Sequence, residues 1–490
     1  MSNQFQRDTV RENLSRLRSK FEEWISLPDY DVIDFLCAVV IANRTKDIPI
    51  WVFLVAPPSS GKTELLMSFK DVPEAITISK FTPRTLLSGY GGEESSLLKR
   101  MDKDGKTLMV FKDFTTVLEM DHNARAEIIS QLREVADGRL DVQTGGPKGN
   151  ISWEGHVGML AGVTGAIDMA YAIKNSLGSR FFYYRLPIQD HMISSRRALL
   201  NSGLNHDMKN QLRGAVSEFF STSTFENALD VPISDELSQK IANMAVYVAH
   251  VRCDVARDGY TRIIQVMPEP EGSPRLMQQF IVMAKALASV RGKEAVTEDE
   301  LRVVAKIAND TAPRRRTIAL KHLYGLLQVE SERTRDIAVA CETPTNTMKE
   351  TLEDLCLVGC VDKTLEDGGE DGNAFAGSRD STPYLWKIKS GFREIIAESG
   401  IFGGTVGPTV NGGVPTPVPG DLPGSTESAG PTARGADTTT GGGTDGVVAN
   451  AEPVQPLRPE QPVLEQQHAP EPRRRSHGNF DDLVNDEVPF

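Results

Sequence analysis

Three observations predict an α/β chain with a mainly parallel sheet, followed by a helical region, a smaller α+β unit and an unpacked tail. From residue 50 onward, short and largely apolar runs recur at 51–55, 75–78, 108–111, 157–163 and 181–186, separated by stretches of helical spacing. Strands buried on both faces that alternate with helices form parallel sheets, because the crossover helices cover both faces. After Pro187 the apolar positions keep helical spacing to about Asn309. Beyond Ile401 the composition shifts: residues 401–450 hold 13 Gly and 6 Pro, and no aromatic occurs between Phe402 and Phe480, so no core can form there.

The elements follow in order. Residues 1–45 carry Leu14, Leu17, Phe21 and Trp24, then Val32, Ile33, Leu36, Cys37 and Val40, at helical spacing with a break at Leu27 and Pro28, which predicts two helices. The α/β unit is expected over 46–190 and the helical unit over 191–313. Arg314, Arg315 and Arg316 mark a junction into a unit over 314–398, with helices at 318–329, 334–340 and 346–357, a turn at Glu342-Thr343-Pro344, and strands near 360–363 and 384–388. That order reads as a helix-turn-helix followed by a two-stranded wing, a winged helix. A linker over 399–478, expected to be disordered, leads to an acidic tip at 479–490.

A length of 490 residues suits two or three domains. Apolar residues are 39% and charged residues 25%, ordinary for a protein in water, which excludes collagen-like and membrane classes. No apolar run reaches the roughly 18 residues that span a bilayer. The N-terminus has charges of both signs with no apolar stretch behind them, so neither a leader nor a membrane span is expected, and the cytoplasm is the expected location. Cys37, Cys253, Cys341, Cys356 and Cys360 show no metal-ligand spacing and are expected to be reduced, mostly core residues. The net charge of −13 argues, taken alone, against nucleic acid as a partner, since duplex binding is driven by Lys and Arg neutralising phosphates.

The first apolar run enters Ala56-Pro57-Pro58-Ser59-Ser60-Gly61-Lys62-Thr63, and a helical stretch follows from Glu64 to Phe69. This is the phosphate-binding loop pattern with Ala in place of the first Gly, in the strand-loop-helix context the chemistry requires. Backbone N–H groups wrap the phosphates of ATP, Lys62 reaches the β and γ phosphates, and the Thr63 hydroxyl ligates Mg²⁺. Residues 108–114, Leu-Met-Val-Phe-Lys-Asp-Phe, have the place of the strand that ends in an acidic motif. Such strands normally close with two carboxylates, one for Mg²⁺ and one for the attacking water, whereas here Asp113 stands between Lys112 and Phe114. Either Asp113 serves the metal and Phe114 fills the catalytic place, or Asp113 orients the water and Lys112 replaces the metal carboxylate, the favoured register. Thr164 ends the next strand where a sensor of the γ-phosphate sits. Arg180, just before the last apolar strand, suits a finger reaching a neighbouring subunit's nucleotide.

The motif order resembles the AAA+ ATPases, and among them the clade with a hairpin before the first sensor, typified by the minichromosome maintenance helicases; the likeness spans about residues 30–310. Gly138-Arg139-Leu140-Asp141-Val142-Gln143, a tip at 144–149 and Asn150-Ile151-Ser152-Trp153 read as that hairpin. The resemblance implies a DNA-contacting lysine at its tip, Lys148, a lid in which Arg275 of Ser273-Pro274-Arg275-Leu276 is the second sensor, and a winged helix after the lid. It further implies a ring, expected to be a hexamer, with single-stranded DNA in its channel and ATP between subunits. Two features depart from the family: no oligonucleotide-binding domain precedes residue 45, and the Lys112-Asp113 ending is atypical.

The helix expected to read DNA, Thr-Asn-Thr-Met-Lys-Glu-Thr-Leu-Glu-Asp-Leu-Cys-Leu over 345–357, has one base, Lys349, against three acids, so docking to protein is the favoured role and Arg314 to Arg316 with Lys321 are the better backbone contacts. The chain ends in Asp486-Glu487-Val488-Pro489-Phe490, which is similar to the tip of bacterial single-stranded-DNA-binding proteins. Such a tip seats its terminal ring in an apolar pocket and its carboxylates on Arg or Lys of a host replication or repair protein. The tip also suits the protein's own DNA channel. The combined reading is a phage or mobile-element DNA helicase or translocase. Its alternatives are an initiator or helicase loader, and a nucleotide-gated scaffold that turns over poorly.

Overall fold

Five apolar runs become the strands of one parallel sheet in the computed structural model, which describes residues 3–403 apart from 28, 46–47, 89–92, 144–148, 170–179, 188–189, 226, 259, 327–329 and 367–382. Helices α1 (Asn3–Trp24) and α2 (Asp31–Ala42) lead to β1 (Trp51–Val55) and α3 (Lys62–Ser68). Then come β2 (Ala75–Ile78), α4 (Leu97–Asp104), β3 (Leu108–Phe111), α5 (Thr115–Leu118) and α6 (His122–Ala136). A hairpin of β4 (Arg139–Gln143) and β5 (Asn150–Glu154) precedes β6 (Gly158–Val163) and β7 (Phe181–Arg185). Among the described residues five helices follow the sheet and one begins the last unit: α7 (His191–Leu200), α8 (Asn205–Thr222), α9 (Asp235–Val251), α10 (Pro274–Val290) and α11 (Glu298–Thr311) precede α12 (Arg314–Gly325). The last elements are β8 (Glu332–Arg333), α13 (Thr334–Ala340), α14 (Thr345–Leu357), β9 (Val361–Leu365), β10 (Tyr384–Ile388) and α15 (Ser390–Ser399).

The strand order is β2-β3-β6-β1-β7, so the strand ending near Thr164 lies between the strand of the phosphate loop and the strand ending near Asp113. This mixed α/β arrangement with a parallel sheet is consistent with a P-loop ATPase-like fold; in open parallel sheets ligands bind beyond the carboxyl ends of the strands. β1 is buried at every position, and its residues alternate between two cores. Val52 and Leu54 join α2, α3 and the later helices, whereas Trp51, Phe53 and Val55 meet Phe111, Phe114 and Phe181. Strand pleating explains the split, since successive side chains leave opposite faces.

The outer strand β7 is covered by α11: the Tyr183 N–H donates to the Thr311 hydroxyl at 3.0 Å and the Arg185 N–H to Asp310 at 2.8 Å. At the other side of the helical region Arg291 binds Asp34 (2.7 Å), Asp31 (2.8 Å) and Glu300 (3.1 Å), and Arg18 also pairs with Asp34. Asp34 and Glu300 are fully buried, and this cluster joins α1, α2, α10 and α11 through paired charges, with Glu300 also accepting from Lys293 and from the Thr297 N–H and hydroxyl. Asn43 fixes the entry to the sheet by exchanging hydrogen bonds with Ile50 at 3.0 and 3.1 Å.

In residues 314–403, β8, β10 and β9 form a three-stranded antiparallel sheet, with Trp386 buried and its indole N–H on Thr334 at 2.8 Å. The first helix here begins at Arg314, earlier than the expected 318, because Pro313 opens it, and it ends at Gly325. Helix α15 packs on α9 through Tyr247 and Phe392, stacked at 6.0 Å. Contact density divides the chain into residues 1–412 and 413–490; all described residues fall in the first. The expected disordered linker beyond Gly403 and the acidic tip lie outside the described residues. Among the described residues no helix is long and apolar enough to cross a membrane.

Candidate nucleotide site

The loop after β1 turns through two left-handed residues, Ser59 (φ 61°) and Gly61 (φ 79°). Glycine takes that conformation without penalty, while Ser59 holds it at a cost of about 1 kcal/mol, the kind of local strain found where backbone is shaped for a ligand. Helix α3 starts directly at Lys62, with the Leu65 N–H on the Gly61 carbonyl at 3.0 Å. The Lys62 side chain is largely buried and its ammonium donates to the Ala56 carbonyl at 3.3 Å, so it folds back over the loop. Burial lowers its pKa from the ordinary lysine value, and the Asp113 carboxylate works against that shift. Gly162 of β6 lines this path: a Cβ there would stand 3.4 Å from the Lys62 Cδ, an ordinary contact, but 2.6 Å from the Lys112 carbonyl, so it is the close approach of that backbone that requires glycine.

Asp113 follows β3 and is half-buried, accepting from the Thr115 N–H at 3.0 Å. Phe114 points away into the core, with its ring 4.8 Å from Phe53 and 5.8 Å from Phe111. Lys112 is exposed. Thr164 reaches the same corner: its N–H donates to the Thr115 hydroxyl at 3.2 Å, and the two hydroxyls are 3.5 Å apart. Thr115 thus links the acidic strand end to the expected γ-phosphate sensor, a role the sequence reading missed because a threonine in Phe-Thr-Thr-Val carries no local signal. Thr63 and Asp113 supply a hydroxyl and a carboxylate, the oxygen donors that suit Mg²⁺ shared with phosphates. Among the described residues no cluster of three or more His, Cys, Asp or Glu is placed to hold a metal.

Arg180 and Arg275 lie elsewhere. Both bind Asp137, the residue that ends α6: Arg180 through Nε (3.2 Å) and Nη2 (2.5 Å), Arg275 through Nη2 (2.7 Å). Burial raises the Asp137 pKa, yet the hydrogen bonds from Arg180 and Arg275 outweigh it and hold the carboxyl below its ordinary value. Phe181 pairs with Trp51 in the parallel register, which sets Arg180 level with the residue before β1. Five residues of strand, at ~3.3 Å each, therefore separate the arginines by about 17 Å from the start of the same chain's phosphate loop. Asp137 was not singled out from sequence.

The hairpin is confirmed as β4 paired with β5, Arg139 opposite Glu154 and Gln143 opposite Asn150. Its base is anchored by buried Leu140 and Trp153, with the indole N–H on Asp102 at 3.2 Å. Lys148 and the rest of the tip, 144–148, lie outside the described residues. So do Asp486, Glu487, Val488, Pro489 and Phe490.

One expected DNA contact is corrected. Arg316 is buried and donates to the carbonyls of Val251 (2.9 Å) and Cys253 and to Asp354 (3.1 Å), so it holds the fold and faces no backbone phosphate. Arg314, Arg315 and Lys321 are exposed. The acids of α14 are engaged too: Asp354 and Glu353 with Arg257 at 2.9 and 3.4 Å, and Glu350 with Arg262 at 2.7 Å.

No family model matches the chain, and no curated protein matches it. A solved structure from Cytophaga hutchinsonii, named a "putative ATPase", is similar over 63% of this chain and 88% of its own, at 11% identity and a TM-score of 0.37. A likeness that partial bears on neither activity nor partners, and the functional reading rests on the residues themselves.

Proposed function

We propose that the chain is an ATP- and Mg²⁺-dependent AAA+ motor that assembles head to tail into a ring, expected to be a hexamer, and acts on DNA as a helicase or translocase. The observation that carries this reading is the separation within one chain of a phosphate loop, at the carboxyl ends of the strands, from two arginines gathered on Asp137 at the opposite ends. One chain holds both halves of a site and cannot close them on itself; a second copy can.

In the joined site Lys62 and the loop amides hold the phosphates, and Arg180 of the next subunit, with Arg275 beside it, meets charge that develops on the transferred phosphoryl group. Mg²⁺, held by the Thr63 hydroxyl and phosphate oxygens, would offset the charge of the triphosphate. Asp113 orients the attacking water, and Thr164 senses the γ-phosphate. The burial of Phe114 favours this register for Asp113, since the next side chain is committed to the core. The hairpin of β4 and β5, with Lys148 at its tip, moves along a strand in the channel.

The unit from 314 to 398 is read as a winged helix whose helix α14 docks on its own chain, because its three acids already meet Arg257, Arg262 and Arg316. The tip at 486–490, on its Gly- and Pro-rich tether, is read as a recruiter of host replication or repair proteins for a phage or mobile replicon; deleting residues 488–490 should weaken such binding, and unchanged binding refutes it.

The test is a mixing experiment. Lys62→Ala and Arg180→Ala should each abolish DNA-stimulated ATPase, and an equimolar mixture should regain part of it, because the junction between an intact loop and an intact arginine survives. Full activity of Arg180→Ala alone refutes the shared site. Forked-DNA unwinding in the same preparation separates the motor from a loader, which would hydrolyse ATP without displacing a strand, and from a scaffold, which would not hydrolyse it.

A further inference from the structure

Among the described residues two apolar surfaces have no cover, and they sit on opposite sides of the divided site. The first is helix α7. None of its residues is buried, and Met192, Ile193, Leu199 and Leu200 are all exposed, Leu200 at 77%. Spaced by seven, 192 with 199 and 193 with 200, they form one stripe along the helix with exposed Arg196 at its middle. The helix stands beside the phosphate loop: Arg197 donates to the Glu23 carbonyl at 2.8 Å and Asn201 to the Trp24 carbonyl at 3.1 Å. The next residue, Ile25, lies 3.6 Å from where a Cβ on Gly61 would be.

The second is the arm between α9 and α10. The chain folds back on itself there, with the Asp258 N–H on the Ile263 carbonyl at 2.8 Å and the Gln265 N–H on the Ala256 carbonyl at 2.9 Å. Its end carries Tyr260, exposed at 96%, with exposed Ile263, Val266 and Met267. Isolated exposed apolar residues are ordinary, but a run of this kind on a projecting arm marks an interaction site. The arm is not loose. Arg257 and Arg262 fasten it to Asp354 and Glu350 of α14, and Arg252 binds Glu271 at 2.7 Å where the arm returns. It then runs directly into Arg275, hence to Asp137 and Arg180.

We infer that the arm of one subunit docks its apolar end, Tyr260 to Met267, on the α7 stripe of a second copy of this chain, with Glu269 meeting Arg196, and that this contact carries the ring interface. The inference rests on the shared-site reading above, because bringing Arg180 and Arg275 to a neighbour's loop brings the arm beside them to the helix beside that loop. The two surfaces differ from each other, so the contact is heterologous and repeats around a ring. Exposed Glu269 on the arm and exposed Arg196 on the helix have opposite charge, which suits this pairing and opposes helix-to-helix docking.

Leu199→Asp/Leu200→Asp and Ile263→Asp/Met267→Asp test it, all at exposed positions where folding is not at stake; thermal unfolding and binding of a fluorescent ATP analogue verify the folded state. Sedimentation with a non-hydrolysable ATP analogue should show each variant as a monomer where wild type assembles, weakened at least roughly a hundredfold by a carboxylate in an apolar contact. An equimolar mixture of the two should form a two-chain species and nothing larger, since one junction is intact. Arg196→Glu and Glu269→Arg should each weaken assembly and together restore it. Assembly of either aspartate variant as in wild type, or sensitivity at one surface only, overturns the contact. So does a variant that assembles but loses affinity for single-stranded DNA, which would make the arm a nucleic-acid surface. If aspartate variants assemble while Lys62→Ala and Arg180→Ala still complement each other, the contact falls and the shared site stands; monomeric wild type with no complementation overturns both.

Discussion

Arg180, at the mouth of β7, and Arg275, in the first turn of α10, converge on one carboxylate, that of Asp137. Each guanidinium is long and flexible, and a common partner fixes both relative to the strand end. Asp137→Asn keeps the shape and removes the charge. It should lower ATPase at least roughly tenfold by releasing two charge-stabilising groups, while leaving nucleotide affinity nearly unchanged, because the phosphate loop is remote. Steady-state kinetics alongside equilibrium binding checks this. The pH sign is also set: with its pKa depressed in the folded state, Asp137 contributes above the ordinary carboxylate pKa and loses that contribution as pH falls through its own lower value. Acid loss of activity at mildly acidic pH should therefore be the same in wild type and Asp137→Asn.

Gly61→Ala should damage the loop without a clash. Its φ of 79° is strained for any residue with a Cβ, at about 1–2 kcal/mol, although the nearest atom would be 3.6 Å away. Gly162→Ala differs, because its Cβ would meet the Lys112 carbonyl at 2.6 Å and press on Leu66 at 2.9 Å. Nucleotide binding should fall in both, and thermal stability should fall more in Gly162→Ala.

The three arginines at 314–316 should separate cleanly. Arg316→Ala leaves the Val251 and Cys253 carbonyls without this donor and Asp354 with Arg257 alone, a loss of roughly 1–3 kcal/mol measurable by denaturant unfolding. Arg314→Ala and Arg315→Ala are exposed and should leave stability within about 0.5 kcal/mol of wild type. If they touch a DNA backbone, each should reduce the salt slope of binding by about one unit.

Asp34→Ala should be among the most destabilising changes in the α1–α2 region. The carboxylate is fully buried between Arg18 and Arg291, and its removal takes from the nearly enclosed Arg291 guanidinium one of its three carboxylates, leaving Asp31 and Glu300. A loss of roughly 2–3 kcal/mol is expected. Burial alone would depress the Arg291 pKa, but Asp34 and its other acids raise it above the ordinary value, so no pH dependence should arise from this arginine in the working range.

The strands were legible because burial on both faces writes itself as unbroken apolar runs, and β1, β2 and β3 match the expected 51–55, 75–78 and 108–111. The turn into α3 was legible because an apolar run is followed at once by Pro57, Pro58 and Gly61 and then by residues of helical spacing. What sequence did not show were relations over distance. Asp137 meets Arg180 and Arg275 only after the sheet and helices have assembled, and the acids of α14 read as poor DNA contacts until Arg257 and Arg262 are seen against them. Arg316 was misread for the same reason: in a run of three arginines nothing local tells which one turns inward.

The side chains of Thr311 and Asp310 occupy the backbone donors of Tyr183 and Arg185, so the β7 edge of the sheet is already sealed by α11. An unsealed rim is a template on which another chain can add a strand, and here the lid denies it that opening. At that edge a neighbour is left side chains to meet rather than open backbone. Heat or truncation that peels α11 away should bare that edge and promote irreversible aggregation.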